Sequence, residues 1–233
     1  LTDSLMREVG LKKFAFKIGH VGVLRGLFAQ EKLGEKLQNA VMQLMDKKQY
    51  DDALRLVEEN GGSAERLGVL RNLVKLKGSN VFEIVDQMSE LVKDCEKSVE
   101  AAKNLREILE LFSESGCNTE TTVEAGFARG LEYYTGMIFE VYIPDLDIAL
   151  GGGGRYDRLI ELFGGDPTPA VGVAHGLDRM MIGAQQQKDK QEESAEKAVL
   201  VIPISEQLRG EALRISKMLR DAGAAVEVEV MGR

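Results

Sequence analysis

Residues 127–157 read FARGLEYYTGMIFEVYIPDLDIALGGGGRYD, and the fold turns on this stretch. Met137–Ile143 is apolar or aromatic except at Glu140, which predicts a strand, and Pro144-Asp145 starts a turn. Upstream, residues 121–129 predict another strand. Downstream, Gly151–Gly154 predict a backbone loop, Tyr156–Phe163 a helix, Ala170–Ala174 a strand, and Gly176–Ile182 the start of a helix. Further out, residues 1–9 suit a helix ending at Gly10, since glycine takes φ > 0 without strain. Phe14, Phe16 and Ile18 alternate with Ala15 and Lys17, the period of a strand.

From Ala29 to Cys117 the signal is helical and proline is absent. Shorter helical patterns lie near 31–45, 51–59 and 64–76, punctuated by Gly61-Gly62 and Gly78-Ser79. Val81, Val85, Met88, Val92, Cys95, Val99, Ala102, Leu105, Leu109 and Phe112 recur every three or four residues and form one stripe, with Ser79 or Asn80 as a candidate cap. Globular helices run about 8–20 residues, so a break or an antiparallel partner is expected there. Residues 185–197 lack a large apolar side chain and read as a solvated linker. Ala198–Ile204, Glu206–Asp221 and Ala225–Val230 then give strand, helix and strand, the start of a parallel α/β unit.

The 233 residues carry 30 Lys+Arg against 38 Asp+Glu, a net charge of −8, which argues against coating nucleic acid non-specifically. Nothing approaches about 18 consecutive apolar residues, so a membrane-spanning helix is excluded. Cys95 and Cys117 make neither a disulfide framework nor a zinc site, and a reducing cytoplasm is the expected location. The chain opens at Leu1 and closes at Met231-Gly232-Arg233 directly after a strand, and a piece of a longer protein is expected.

Three clusters carry chemistry. In Arg129-Gly130-Leu131-Glu132-Tyr133-Tyr134, arginine offers a planar donor fork for carboxylate or phosphate, and the tyrosines offer apolar walls with polar tips. The competing reading is an amphipathic strand with core tyrosines. Gly151–Gly154, followed by Arg155-Tyr156-Asp157, suits a close approach to a ligand, although a phosphate loop would need a following Gly-Lys-Ser/Thr; a flexible hinge is the alternative. In Gly172-Val173-Ala174-His175-Gly176-Leu177-Asp178-Arg179, a glycine-punctuated strand runs into a helix with an arginine in its first turn, where the dipole disfavours it. A bound polyphosphate, or a salt bridge to Asp178 or Glu161, would resolve the conflict. His20 and His175 lack triad spacing and read as structural, and no metal-ligand spacing is seen. Arg66, Arg71, Lys75 and Lys77, with no acid among them, are candidates for a phosphate-backbone contact or a solvated helix face.

In this order the clusters resemble the histidyl-tRNA synthetase family of class II aminoacyl-tRNA synthetases. RGLEYYTG resembles the first histidine signature, GGGGRYD the second, and AVGVAHGLDRM motif 3 of the class, with wording closer to archaeal members. The resemblance implies an α+β fold: part of an antiparallel-sheet catalytic core at 1–28 and 119–184, a helical insertion at 29–118, a linker at 185–197, and the start of an α/β anticodon-binding domain at 198–233. It implies ATP-dependent activation of histidine and transfer to tRNA-His. The substrates would be histidine, ATP with Mg2+ and the tRNA, and the full-length protein would be a cytoplasmic homodimer. Arg129 matches the catalytic arginine, against the histidine carboxylate and the ATP α-phosphate. Tyr134 and Tyr156 match imidazole-pocket tyrosines, while Glu132, Tyr133 and Gly152, Gly153 and Gly154 would shape that pocket. Arg179 matches the motif 3 arginine that holds ATP. Motifs 1 and 2 are absent, so this stretch alone is expected to be inert. The rival readings are a non-catalytic paralogue, such as the regulatory subunit of ATP phosphoribosyltransferase, and the synthetase-like sensor domain of a stress kinase.

Overall fold

The computed structural model describes residues 1–144, 148–187 and 199–229. The chain divides into two compact units, Leu1–Gln187 and Lys188–Arg233.

The first unit begins with α1 (Thr2–Glu8), β1 (Ala15–His20), α2 (Val21–Gln30), α3 (Glu35–Asp46), α4 (Tyr50–Glu59) and α5 (Ala64–Leu73). It continues with β2 (Lys77–Gly78), α6 (Val81–Leu91), α7 (Glu96–Glu114), β3 (Glu120–Glu124), β4 (Met137–Ile143) and β5 (Ile148–Arg155). It closes with α8 (Leu159–Leu162), β6 (Val171–His175) and α9 (Leu177–Gln187). One sheet runs β2-β3-β1-β4-β5-β6. Only β1 and β3 pair in parallel, because the whole helical segment between them acts as the crossover that parallel strands require. The result is a mixed α+β fold with a mostly antiparallel sheet.

Local sequence explains the element ends. At α1, Gly10 has φ +85 and its N–H donates to the Arg7 carbonyl at 2.9 Å, while the Leu11 N–H donates to Met6 at 3.0 Å. This is a Schellman stop, sealed by the buried pair Met6 and Leu11. The long apolar stripe is real but belongs to two helices. Val85, Met88, Val92, Cys95, Ala102, Leu105 and Leu109 are all buried, and α6 folds back on α7 across the break at 92–95. At the start of α6, Asn80 caps without a side-chain bond to the backbone, and its Nδ2 donates to Glu83 instead at 2.8 Å.

Three sequence expectations are corrected. Gly151–Gly154 are no loop but the centre of β5, paired to β4 on one side and β6 on the other. The strand expected over 121–129 stops at Glu124: the Ala125 N–H makes one further ladder bond to the Leu76 carbonyl, and the Phe127 N–H then turns back to Glu124. The helix expected from Tyr156 shrinks to four residues, since the Tyr156 N–H extends the sheet ladder to the Ala170 carbonyl. Helix α2, which the alternation and stripe patterns do not indicate, runs through residue 28.

The two faces of the sheet differ in chemistry. Phe16 stands edge-on to Phe112 of α7 at 5.8 Å and to Phe139 at 6.0 Å, so this face is apolar and covered by helix. On the other face, register aligns Lys17, Glu140, Gly152 and Ala174 in one row and Gly19, Ile138, Gly154 and Gly172 in the next. Between Val141 and Tyr142 the pairing skips Leu150, a bulge that turns this extra residue into the core.

His20 caps α2: its Nδ1 accepts from the Gly22 N–H at 3.1 Å, so Nε2 carries the proton and donates to Asn104 Oδ1 at 3.2 Å. Burial, reinforced by the nearby Arg155 charge, pushes its pKa down from 6.5 to about 4. Such a histidine stays neutral in the fold while the unfolded chain takes up a proton. Stability is therefore intact above the unfolded value of 6.5 and is lost as pH falls towards about 4. The loss should reach up to about 3 kcal/mol. Urea unfolding at about pH 7 and about pH 5 should show a steeper loss for the wild type than for His20→Asn. Equal slopes would refute the neutral cap.

In the second unit β7 (Val199–Val201) and β8 (Val226–Val228) pair in parallel, joined through a 3-10 turn at Glu206–Leu208 and α10 (Arg209–Asp221). Gly223, at φ +87, ends α10 as Gly10 ends α1. Of the expected linker, residues 185–187 form the last turn of α9 and residues 188–197 lie outside the described residues, as do residues 230–233. Among the described residues no helix is long and apolar enough to cross a membrane.

Candidate active site

Glycines make a floor on the polar face of the sheet. A Cβ on Gly152 would sit 2.6 Å from Arg129 Nη1, and one on Gly154 2.9 Å from Tyr134 Cε1. A Cβ on Gly172 would run into the Tyr156 hydroxyl. Gly152, Gly154 and Gly172 share one face by register, so Arg129, Tyr134 and Tyr156 all stand over the same floor. Side chains on that floor would fill the space these three groups use.

Arg129 is held rather than loose. Its Nη1 donates to Glu140 Oε1 at 2.9 Å, and the two side chains are 24% and 19% exposed. The same carboxylate also meets Lys17 Nζ at 3.5 Å, and that ammonium lies over the rings of Phe127 and Tyr142. One carboxylate between two cations leaves the group net positive, with guanidinium donors to spare for an anion.

The tyrosines form a trio. Tyr133 lies 4.6 Å from Tyr134 and 5.6 Å from Tyr156, ring centre to centre, and Tyr134 lies 6.3 Å from Tyr156. Burial, with a smaller contribution from the Tyr133 hydroxyl, raises the pKa of Tyr134 to about 12, so its phenol remains a neutral donor. The loop and strand ends are tied together by Asp157. Its Oδ2 accepts from Arg155 Nε at 2.7 Å and its Oδ1 from the Ala170 N–H at 3.1 Å. Its own N–H donates to Thr135 Oγ1 at 3.1 Å. Behind the loop, Glu132, Tyr133 and Tyr134 line a cavity of about 740 Å³ together with Arg25 and His20. Glu132 is exposed there, and its carbonyl accepts from Arg25 Nη2 at 3.4 Å.

Arg179 sits in the first turn of α9, and its Nη1 donates to the Ala149 carbonyl at 2.9 Å. Neither Asp178 nor Glu161 takes it, which corrects the salt-bridge alternative. Ala149, Glu140, Lys17 and Tyr142 line a further hollow of about 390 Å³. The basic residues between 66 and 77 differ in exposure. Arg66 is 14% exposed and lies 3.7 Å from Glu31, whereas Arg71, Lys75 and Lys77 are exposed. Lys77 is on β2, the opposite sheet edge from β6. Among the described residues no group of three or more His, Cys, Asp or Glu side chains could hold a metal.

Glu140 and Lys17 are site residues that the sequence reading does not single out, and Gly172 stands in the third cluster without a role of its own. Glu140, the one charge in an apolar strand, was the available signal; Gly172 looked like ordinary punctuation.

The sequence profile described as histidyl-tRNA synthetase matches residues 1–180. A curated histidine–tRNA ligase of Methanocaldococcus jannaschii is 41% identical over 97% of this chain and 52% of its own length. That of Saccharolobus solfataricus is 34% identical over 90% of this chain and 48% of its own. The chain thus spans about half the length of these relatives. A solved histidyl-tRNA synthetase from Nostoc has a TM-score of 0.67 at 22% identity, covering 100% of this chain and 56% of that one. A Bacillus halodurans protein described as an ATP phosphoribosyltransferase regulatory subunit/histidyl-tRNA synthetase has a TM-score of 0.70 at 23% identity, covering 99% and 57%. The two solved structures share the fold, and the profile with the archaeal relatives carries the assignment: this chain belongs to the histidyl-tRNA synthetase family.

Proposed function

We propose that the chain is part of a histidine–tRNA ligase and carries the histidine-recognising half of its catalytic centre. The observation that supports this most is the placing of Arg129, Tyr134 and Tyr156 over one glycine floor. A histidine carboxylate oxygen attacks the ATP α-phosphorus, a P–O bond forms, and pyrophosphate leaves. Charge grows on the phosphoryl oxygens, and a fixed guanidinium stabilises it without reorganising. Arg129 takes that role and Arg179 grips the nucleotide. Tyr134 and Tyr156 recognise the imidazole, with Glu132, Tyr133 and the Gly152–Gly154 backbone shaping the pocket. ATP brings Mg2+ on its phosphates, as substrate.

In this reading 1–28 and 119–184 are catalytic core, 29–118 an insertion, 185–197 a linker and 198–233 the opening of an anticodon-binding domain. Arg71, Lys75 and Lys77, with Arg66 behind them, contact tRNA-His. The complete protein acts as a cytoplasmic homodimer. The test is histidine-dependent exchange of pyrophosphate into ATP by a polypeptide of full family length. Exchange that histidine alone among amino acids stimulates is expected. Histidine binding without exchange would favour the regulatory-subunit reading, which the Bacillus halodurans neighbour keeps in view.

A further inference from the structure

The loop that carries Arg129 is gripped from outside the sheet. The Gly130 N–H donates to Asp46 Oδ2 at 2.9 Å. Asp46 is the last residue of α3, where the helix dipole disfavours an acid, and this bond gives the acid a partner. The approach is close: a Cβ on Gly130 would lie 3.1 Å from Asp46 Oδ2 and 3.5 Å from Gln43 Cγ. Two residues further on, the Glu132 carbonyl accepts from Arg25 Nη2, and the same nitrogen donates to Asn39 Oδ1 of α3 at 3.1 Å. Helix α3 therefore holds the loop on both sides of Leu131, directly through Asp46 and indirectly through Asn39 and Arg25. The segment between β3 and β4 contains no strand of its own; the buried Phe127 and Ala128 anchor it before Arg129, and the bonds from α3 and Arg25 hold it after.

We propose that Asp46 is a positioning residue for Arg129, with Arg25 and Asn39 completing the clamp. This rests on the ligase reading above. A guanidinium aimed in advance spends no binding free energy on ordering its loop, and small misplacements at a reacting centre cost rate. Helix α3 thereby becomes the element through which the helical segment sets the geometry of the catalytic face.

The test uses Asp46→Ala and Asp46→Asn in the full-length polypeptide, with two readouts. Asp46→Ala should lower kcat for adenylate formation about tenfold and leave the KM for ATP unchanged, the scale of one lost hydrogen bond to a charged group. Asp46→Asn keeps an acceptor oxygen and should stay close to the wild type. By hydrogen exchange, Asp46→Ala should speed the amides of residues 130–134 and leave those of α7 unchanged. A wild-type rate in Asp46→Ala would overturn the proposal, with or without faster exchange, as would an Asn variant as impaired as the Ala variant. A wild-type enzyme without histidine-dependent turnover would sink the ligase reading instead, and the exchange readout would then decide the clamp alone.

Discussion

Arg129→His in the full-length polypeptide should slow adenylate formation by about 10²–10³, or about 3–4 kcal/mol in the barrier, while histidine affinity changes far less. The asymmetry follows from what the guanidinium does. Its Nη1 is committed to Glu140 at 2.9 Å, which fixes the plane of the fork over Gly152 and leaves other N–H groups for the ligand. In the ground state a histidine zwitterion has the tyrosines and the glycine backbone as further partners, so one lost donor matters little. In the transition state the added charge on phosphorus oxygens has few partners, and a histidine side chain there is shorter, carries one charge at most and cannot reproduce the fork. Glu140 would also be left facing Lys17 alone, at 3.5 Å. Pulsed formation of adenylate, with histidine binding measured separately by calorimetry, separates the two effects. Near-normal pyrophosphate exchange by Arg129→His would refute the assignment of this residue.

How much of this was legible in the sequence depended on whether the signal was local. The stop at Gly10, the strand at 137–143 and the buried stripe from Val85 to Leu109 each follow from periodicity or from a glycine's backbone freedom, and each appears in the structure. The three clusters also marked Arg129, Tyr134 and Tyr156 as candidates, because arginines and tyrosines beside glycines are unusual enough to notice. Other features were set by partners distant in sequence. Four consecutive glycines look like a loop until β4 and β6 press on both sides of them. Val21–Gln30 carries two glycines that weaken a helical pattern, yet Gly26 is needed because a Cβ there would lie 2.8 Å from the Ser98 nitrogen of α7. Asp46 gives no local hint at all: its partner, Gly130, lies 84 residues away.

The same glycines support a prediction about stability. Gly153→Ala should destabilise the first unit by about 1–3 kcal/mol, the usual cost of forcing a methyl into a packed core. A Cβ there would run into the Gly172 carbonyl and sit 2.9 Å from Val173 Cα. Both are backbone atoms of β6, which can yield only by moving the strand. Gly68→Ala is the matched control. It lies within α5 with nothing inside 4 Å of the added carbon, and should stabilise the protein by about 0.5–1 kcal/mol through the helix preference for alanine. Urea unfolding of the two variants should therefore move in opposite directions. The contrast separates two reasons for glycine that coexist in β5. Gly152 and Gly154 keep clear the space under Arg129 and Tyr134 and also admit the β4 carbonyls of Phe139 and Met137, whereas Gly153 lets β6 approach. If Gly153→Ala kept wild-type stability, the close approach of β6 would have no energetic standing. The glycine run would then be explained by the substrate face and by the β4 carbonyls of Phe139 and Met137.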